Sequence, residues 1–537
     1  MKKFIIFTLI IFAFTILCIY FTEKTDVLGL QSLPFDAEFA EYDGHMILSW
    51  KRLPYPCFYK VEILSPTTGL LENEPAYHPI QQDYTFKASY ELPGTAIPTC
   101  YRVTAYGIFG KLAGPSKAVD NPNYQTPPAP VSIFHYTYEN PASTMPYLVW
   151  HSVPSAACYE LELLSAPPEN ENGTTLSQQH HLFSTMQIYT NGWQADLKPF
   201  LENKTIYWRV RALNLQKQPI GVFSKAEPIF IDTAKPVPNK PLINKFDRMP
   251  NFHQPLYPVY NWIPMHDTLR YEVELLTAPP AEENNTQPSA KRLWYFTVND
   301  AFSCYDEYAR PYAGEYYWRV RAVDAKGNTI GTYSDSEKFI VESHATRVTA
   351  AAFGDSITHG GGAVSHSPAS LEYSYTTYLN FPTLNLGKSG DVAHTSMKRF
   401  EQDVLPFQPY NLLILTGSNN LRADTTAEDI IADLEQIRIK CERNDIRPIF
   451  LTFMPINPTN IYNAFQTETD PDWRQKMNIV NAYIRQQPYY IDLEPYFYDD
   501  SGQMMSTEFA TDGLHPDIRG KMLMAEIINA HQDMLKK

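Results

Sequence analysis

A tryptophan and a tyrosine recur at one fixed spacing in three places: Trp50 with Tyr59, Trp150 with Tyr159, and Trp262 with Tyr271. Each Tyr opens an alternating run, written YKVEIL, YELELL and YEVELL. A second alternating run follows in each copy, at Tyr101 to Ala105, Trp208 to Ala212 and Trp318 to Ala322, and then a Gly and a Ser (Gly114 and Ser116, Gly221 and Ser224, Gly331 and Ser334). A repeat of this length constrains architecture before any single residue does, because each copy is one structural unit used three times. Period-two alternation places successive side chains on opposite faces of a strand, so each copy is expected to be an antiparallel β-sandwich with its Trp in the core. The Arg residues of the second runs recur at the same strand positions, which favours a structural role over ligand contact. The expected boundaries are 34–125, 126–235 and 236–343, and the Pro-rich stretches at 126–130 and 235–238 read as stiff joints between copies.

From Arg347 the pattern changes to short apolar runs separated by helical segments. Val348 to Phe353, Thr383 to Leu386, Leu412 to Thr416, Pro448 to Phe453 and Tyr489 to Leu493 are the expected strands. Between two of them, Ile430, Leu434, Ile437 and Cys441 stand at helical spacing, with Thr426 and Asp429 placed as a helix start. Ile518 to Leu535 reads as a final helix. Strands alternating with helices imply a five-stranded parallel sheet covered on both faces, over residues 345–537. Sheets of this kind place their sites beyond the carboxyl ends of the strands.

The polar motifs fall where that rule puts them. Gly354-Asp355-Ser356 follows the first expected strand, Gly387-Lys388-Ser389-Gly390 the second, Gly417-Ser418-Asn419-Asn420 the third, and Asp512-Gly513-Leu514-His515 the fifth. A serine hydroxyl becomes a nucleophile when an imidazole takes its proton, and a carboxylate three residues before that His can fix its tautomer. An oxyanion then needs donors placed in advance, which a Gly N–H and an Asn amide provide.

These four blocks, in this order, resemble the SGNH hydrolases, also called GDSL esterases or lipases, over roughly residues 347–537. The resemblance implies an α/β/α, flavodoxin-like fold and a serine acylhydrolase. It implies Ser356 as nucleophile, His515 as base and Asp512 as the carboxylate that orients it. The oxyanion donors it implies are the N–H groups of Ser356 and Gly390 and the side-chain amide of Asn419. Asn420 departs from the Asp usual at the fourth position of the third block, which puts a local hydrogen-bond network in doubt. Asp355 is read as structural, and His359 and His394 have no pattern to support a role. The repeats resemble fibronectin type III domains, over residues 34–343.

Composition and the amino terminus bear on partners and place. Lys and Arg total 44 against 59 Asp and Glu, a net charge of −15, which repels a phosphate backbone and argues against nucleic-acid binding. No metal cluster or nucleotide fingerprint accompanies the motifs, so no cofactor is expected. Lys2 and Lys3 precede the apolar run 4–21, which reads as a membrane anchor within residues 1–25 that leaves the later domains outside the cytoplasm. Cleavage of that run as a signal peptide, with secretion, is the rival reading. Cys57 and Cys100 share one copy, where either a bridge or free thiols are compatible with the sequence.

The expected activity is hydrolysis of an ester on a carbohydrate or cell-surface polymer, a substrate suggested by the exported location and by Tyr373, Tyr375 and Tyr378 after the nucleophile. A lysophospholipid or other lipid ester is the alternative within the enzyme class. A surface binding protein with a vestigial hydrolase domain is the alternative outside it. The repeats, through loops such as Pro279 to Pro288, offer a surface for carbohydrate or protein.

Overall fold

The computed structural model describes residues 15–20, 37–42, 45–53, 56–68, 75–91, 100–109, 118–120 and 129–536, apart from 154–155, 171–172, 174, 204, 249–252, 300–301, 343–345 and 363–366. Most of the apolar run 4–21 lies outside these residues. Its described part, 15–20, is helical, and among the described residues no helix is long and apolar enough to cross a membrane. The chain divides into two compact units, one of residues 1–67 and 77–127, the other of residues 68–76 and 128–537.

In the first unit, Ala37–Tyr42, His45–Trp50 and Ser89–Glu91 form one antiparallel sheet, and Cys57–Thr68 lies in another beside Cys100–Gly107. In that ladder Cys57 faces Gly107 whereas Cys100 faces Leu64. Seven residue steps of extended strand, roughly 24 Å, separate the two cysteines, far beyond disulfide reach. Cys57 is accordingly a free, buried thiol.

In the second unit, Cys158–Leu164 and Ile206–Leu213 are the centre of one antiparallel sheet, and Arg270–Leu276 and Gly314–Val323 the centre of the next. The repeated spacing has a direct physical cause. Trp50 and Tyr59, Trp150 and Tyr159, and Trp262 and Tyr271 are ring pairs at 5.1, 5.3 and 5.3 Å. Each tyrosine hydroxyl also accepts a backbone N–H six residues earlier, from Leu53, Val153 and Met265 at 3.2, 2.7 and 2.9 Å. One Tyr thus closes the turn before its strand while its ring covers the core Trp.

The repeated arginines are explained by register. Glu162 stands opposite Arg209 and Glu160 opposite Arg211, as Glu274 does to Arg319 and Glu272 to Arg321. The Arg209–Glu162 and Arg319–Glu274 pairs, both at 2.7 Å, are fully buried. Each guanidinium also lies over an aromatic ring, Arg209 over Phe223 at 4.2 Å and Arg319 over Tyr333 at 3.9 Å.

The carboxyl-terminal domain is a parallel sheet of β1 (Ala350–Gly354), β2 (Thr383–Asn385), β3 (Asn411–Leu415), β4 (Arg447–Leu451) and β5 (Tyr490–Ile491). The order across the sheet is β2-β1-β3-β4-β5. Every residue of β1 and β3 is buried, because helices cover both faces and leave no solvated side. The helices are α1 (Ser356–His359), α2 (Ala393–Asp403), α3 (Ser418–Arg422), α4 (Ala427–Arg443), α5 (Pro458–Phe465), α6 (Trp473–Ile484) and α7 (Ile518–Asn529). Helix α4 starts at Thr426, whose hydroxyl accepts the Asp429 N–H at 3.1 Å and donates to the Asp429 carboxylate at 2.7 Å. The final helix ends earlier than its sequence suggests, at Asn529, followed by a short turn of 3-10 helix at Gln532–Met534. Strand order reverses between β1 and β3, and a crevice at such a switch point is where an open α/β sheet binds its ligands.

Candidate active site

The segment after β1 is shaped by what its neighbours leave room for. A Cβ on Gly354 would lie 1.9 Å from the Leu415 carbonyl oxygen, so only glycine lets the chain leave β1 this close to β3. Asp355 then caps α1, its Oδ1 accepting the Ile357 N–H at 3.1 Å, and Ser356 becomes the first residue of the helix. The other Asp355 oxygen accepts the Ser418 N–H at 3.1 Å and so ties the turn after β1 to the turn after β3. Asp355 is completely buried, and burial raises its carboxyl above the ordinary value against these two hydrogen bonds.

Ser356 and His515, far apart in the chain, meet at the switch point. The Ser356 hydroxyl lies 2.8 Å from His515 Nε2, and His515 Nδ1 lies 2.9 Å from Asp512 Oδ2. Asp512 Oδ1 accepts the backbone N–H groups of Leu514 and His515 at 2.8 and 2.7 Å. Burial alone would raise the Asp512 carboxyl, but the His515 charge and these hydrogen bonds outweigh it and hold the group below the usual carboxylate range. An ionised Asp512 places the proton of a neutral His515 on Nδ1 and leaves Nε2 to accept from the serine.

Gly390 follows β2 and Asn419 follows β3, both beyond the carboxyl ends of the parallel strands, where Ser356 also lies. Asn419 Nδ2 donates one hydrogen to the Asp391 carbonyl at 2.9 Å, which fixes the amide and leaves its second hydrogen unused. Among the described residues, the N–H groups of Ser356 and Gly390 have no acceptor. Gly390 takes φ +85, a left-handed conformation that suits glycine. Ser356, Asn419 and His515 are half-buried and Gly390 is exposed.

Asn420 is buried, and its Oδ1 accepts the Ala393 N–H at 2.8 Å at the start of α2. An amide oxygen meets that need as a carboxylate would. His394 pairs with Asp433 at 3.1 Å on the surface and takes no part in the site. Tyr373 and Tyr375 are buried in the domain, and the Tyr378 hydroxyl donates to the Glu372 carbonyl at 2.9 Å. Tyr373 and Tyr375 are thus core packing, and the substrate argument built on the tyrosines loses its support from these two.

Four residues near the site carry no signal in the sequence spacing. Phe465, at the end of α5, stands edge-on to His515 with ring centroids 5.9 Å apart, and the Arg422 guanidinium lies 5.7 Å from the Phe465 ring. Lys521 of α7 is fully buried and donates to the Ile357 carbonyl at 2.6 Å. Burial draws its amine down to about 7, against the charges of Asp355, Asp517 and Asp512. His359, with 1% of its surface exposed, lies under the turn that carries Gly390. Each reaches the site through residues distant in the chain, which a linear pattern does not display.

Residues 352–523 match the GDSL-like Lipase/Acylhydrolase family. Solved structures with a similar domain include a lipase/acylhydrolase from Enterococcus faecalis (23% identity, 36% of this chain and 98% of that one, TM-score 0.28). Another is a putative platelet activating factor from Streptococcus pneumonia (17%, 35% and 85%, TM-score 0.29). A third is a mutant of an acetyl-xylooligosaccharide esterase, Axe2, from Geobacillus stearmophilus (18%, 34% and 94%, TM-score 0.27). No curated protein matches the chain. The carboxyl-terminal part of the chain, residues 352–523, is a GDSL-like lipase/acylhydrolase domain.

Proposed function

We propose that this protein is a serine esterase that removes acyl groups from a carbohydrate or cell-surface polymer outside the cytoplasm, held to the membrane by the apolar run 4–21. The observation that carries the reaction class is the Ser356–His515–Asp512 hydrogen-bonded chain, at 2.8 and 2.9 Å, together with N–H groups of Ser356 and Gly390 and one Asn419 amide hydrogen that have no acceptor among the described residues. Ser356 Oγ attacks the ester carbonyl as its proton passes to His515 Nε2. The carbonyl oxygen becomes an oxyanion held by the three donors. Collapse expels the alcohol, which takes the proton from His515, and leaves an acyl-serine. Water, deprotonated by His515, attacks that ester, and the acid departs as Ser356 regains its proton. Asp512 stays ionised throughout and stabilises the imidazolium.

A nucleophile that is only half-buried supports an ester that is displayed on a large molecule. The fibronectin type III-like repeats would then set the distance of the site from the membrane.

The full-length chain, detergent-solubilised, tests this directly. Hydrolysis of p-nitrophenyl acetate and acetate release from an O-acetylated polysaccharide are expected, with fluorophosphonate labelling of Ser356 that disappears in Ser356→Ala. Absence of both turnover and labelling would overturn the esterase assignment. Fatty-acid release from lysophospholipid in place of acetate release would overturn the substrate class.

A further inference from the structure

The segment Leu256–Tyr257 precedes the strand Val259–Ile263 of the third repeat, yet both residues are buried in the hydrophobic core of the carboxyl-terminal domain. The Leu256 N–H donates to the Asn385 carbonyl at the end of β2 at 3.1 Å, and the Tyr257 hydroxyl donates to Asp403 of α2 at 2.6 Å. Lys388 and Arg399 place their cations 4.7 and 5.5 Å from the Tyr257 ring. A linker or spacer has no need of such contacts.

One of them leads to the site. The Tyr257 carbonyl can only accept, and it lies 2.8 Å from His359 Nε2, so that nitrogen carries the ring proton. His359 Nδ1 is then an acceptor, and the Ser389 N–H donates to it at 3.1 Å, with the Ser389 hydroxyl at 2.9 Å. Ser389 immediately precedes Gly390. The backbone beside this link is tightly packed: a Cβ on Gly387 would fall 2.2 Å from the His359 backbone nitrogen. Tyr305, also of the third repeat, meets the His359 ring edge-on at 5.8 Å. Burial keeps His359 neutral, which preserves Nδ1 as an acceptor.

We propose that the third repeat is a working part of the hydrolase, in which the Tyr257 carbonyl fixes His359 and His359, as a positioning residue, holds the Ser389–Gly390 turn so that the Gly390 N–H points at the oxyanion. The proposal rests on the esterase reading for its kinetic consequence and on the structure alone for its effect on the turn. Donors to an oxyanion act in the transition state, so misplacing one lowers kcat and leaves KM nearly unchanged.

The test uses the full-length chain and two variants, with kcat expressed per active site titrated by fluorophosphonate. His359→Ala removes both bonds and is expected to lower kcat per titrated site roughly 100-fold with KM within about twofold. His359→Asn puts an acceptor where Nδ1 stood but cannot reach Tyr257, and is expected to restore about tenfold of that loss. Amide hydrogen exchange at Ser389 and Gly390, expected to quicken in both His359 variants, reads the turn independently of activity. Wild-type kcat per titrated site in His359→Asn, together with unchanged exchange at the turn, would overturn the proposal even if that variant were less stable. A wild type without turnover would instead sink the esterase reading, leaving exchange to decide this one.

Discussion

Asp355 and Ser418, 63 residues apart, are joined by a 3.1 Å hydrogen bond from the Ser418 N–H to Asp355 Oδ2. The bond couples the turn that presents Ser356 to the one that presents Asn419, two elements that must keep their separation if the proposed nucleophile and oxyanion donor are to serve one carbonyl. Asp355→Ala leaves the Ile357 and Ser418 N–H groups buried without acceptors. A stability loss of roughly 2–5 kcal/mol is expected, and chemical denaturation of the purified variant measures it. A loss below about 1 kcal/mol would show that water or relaxation replaces the carboxylate.

Asn419 has one hydrogen committed to Asp391 and one free. Asn419→Ala removes the free donor, and kcat is expected to fall about 100- to 1000-fold. KM should move little, because the lost bond forms only when the oxyanion does. Steady-state kinetics on p-nitrophenyl acetate separates the two parameters, and a rise in KM at constant kcat would assign Asn419 to ground-state binding.

His359 titrates far below its ordinary 6.5, at about 4, chiefly because burial disfavours the charged ring. Between those values the unfolded chain binds a proton that the folded chain does not, so stability is fully present above about 6.5 and is lost as pH falls towards about 4. The loss attributable to this ring is about 3 kcal/mol across the window. Asp512, also held below its ordinary value, loses stability on acidification too. The difference between wild type and His359→Asn isolates the imidazole. Urea unfolding at pH 6.5 and pH 4.5 should show a smaller acid-induced loss in the variant, and equal losses would count against a neutral buried His359.

Arg209 and Glu162 form a fully buried pair at 2.7 Å, and Glu162 also accepts from Ser177 N at 2.8 Å. Arg209→Met leaves the carboxylate without its cation, at an expected cost of about 3–5 kcal/mol. Replacing both residues, Arg209→Met with Glu162→Met, removes the stranded charge and should cost less than the sum of the single changes. A double-mutant cycle by denaturation reads this coupling, and additive losses would argue that the pair contributes through packing alone.

Much of the architecture was open to reading because its causes are local or periodic. The Trp–Tyr spacing survives in the sequence because one Tyr both covers the Trp ring and caps the turn six residues back, two demands that fix the interval between them. The strands of the carboxyl-terminal sheet appear as short apolar runs because both faces are covered, and the motifs stand beyond their carboxyl ends because the strand order reverses there. The arginines of the repeats could be assigned to the framework but not to partners, since Glu162 and Arg209 meet only once the register is set.

What the amino-acid order determined by itself was therefore the repeat, the alternation of strand and helix, and which residues are candidates for a nucleophile, a base, a carboxylate and further donors, all properties of spacing along one chain. Tertiary structure alone decided that Tyr373 and Tyr375 are core, that Cys57 and Cys100 stand at opposite ends of a ladder, and that Phe465 meets His515. It alone brought the Tyr257 carbonyl to His359, 102 residues away. The physical reason is that such contacts depend on how finished elements pack, and packing is set by the shapes of both surfaces, which no interval along the chain encodes.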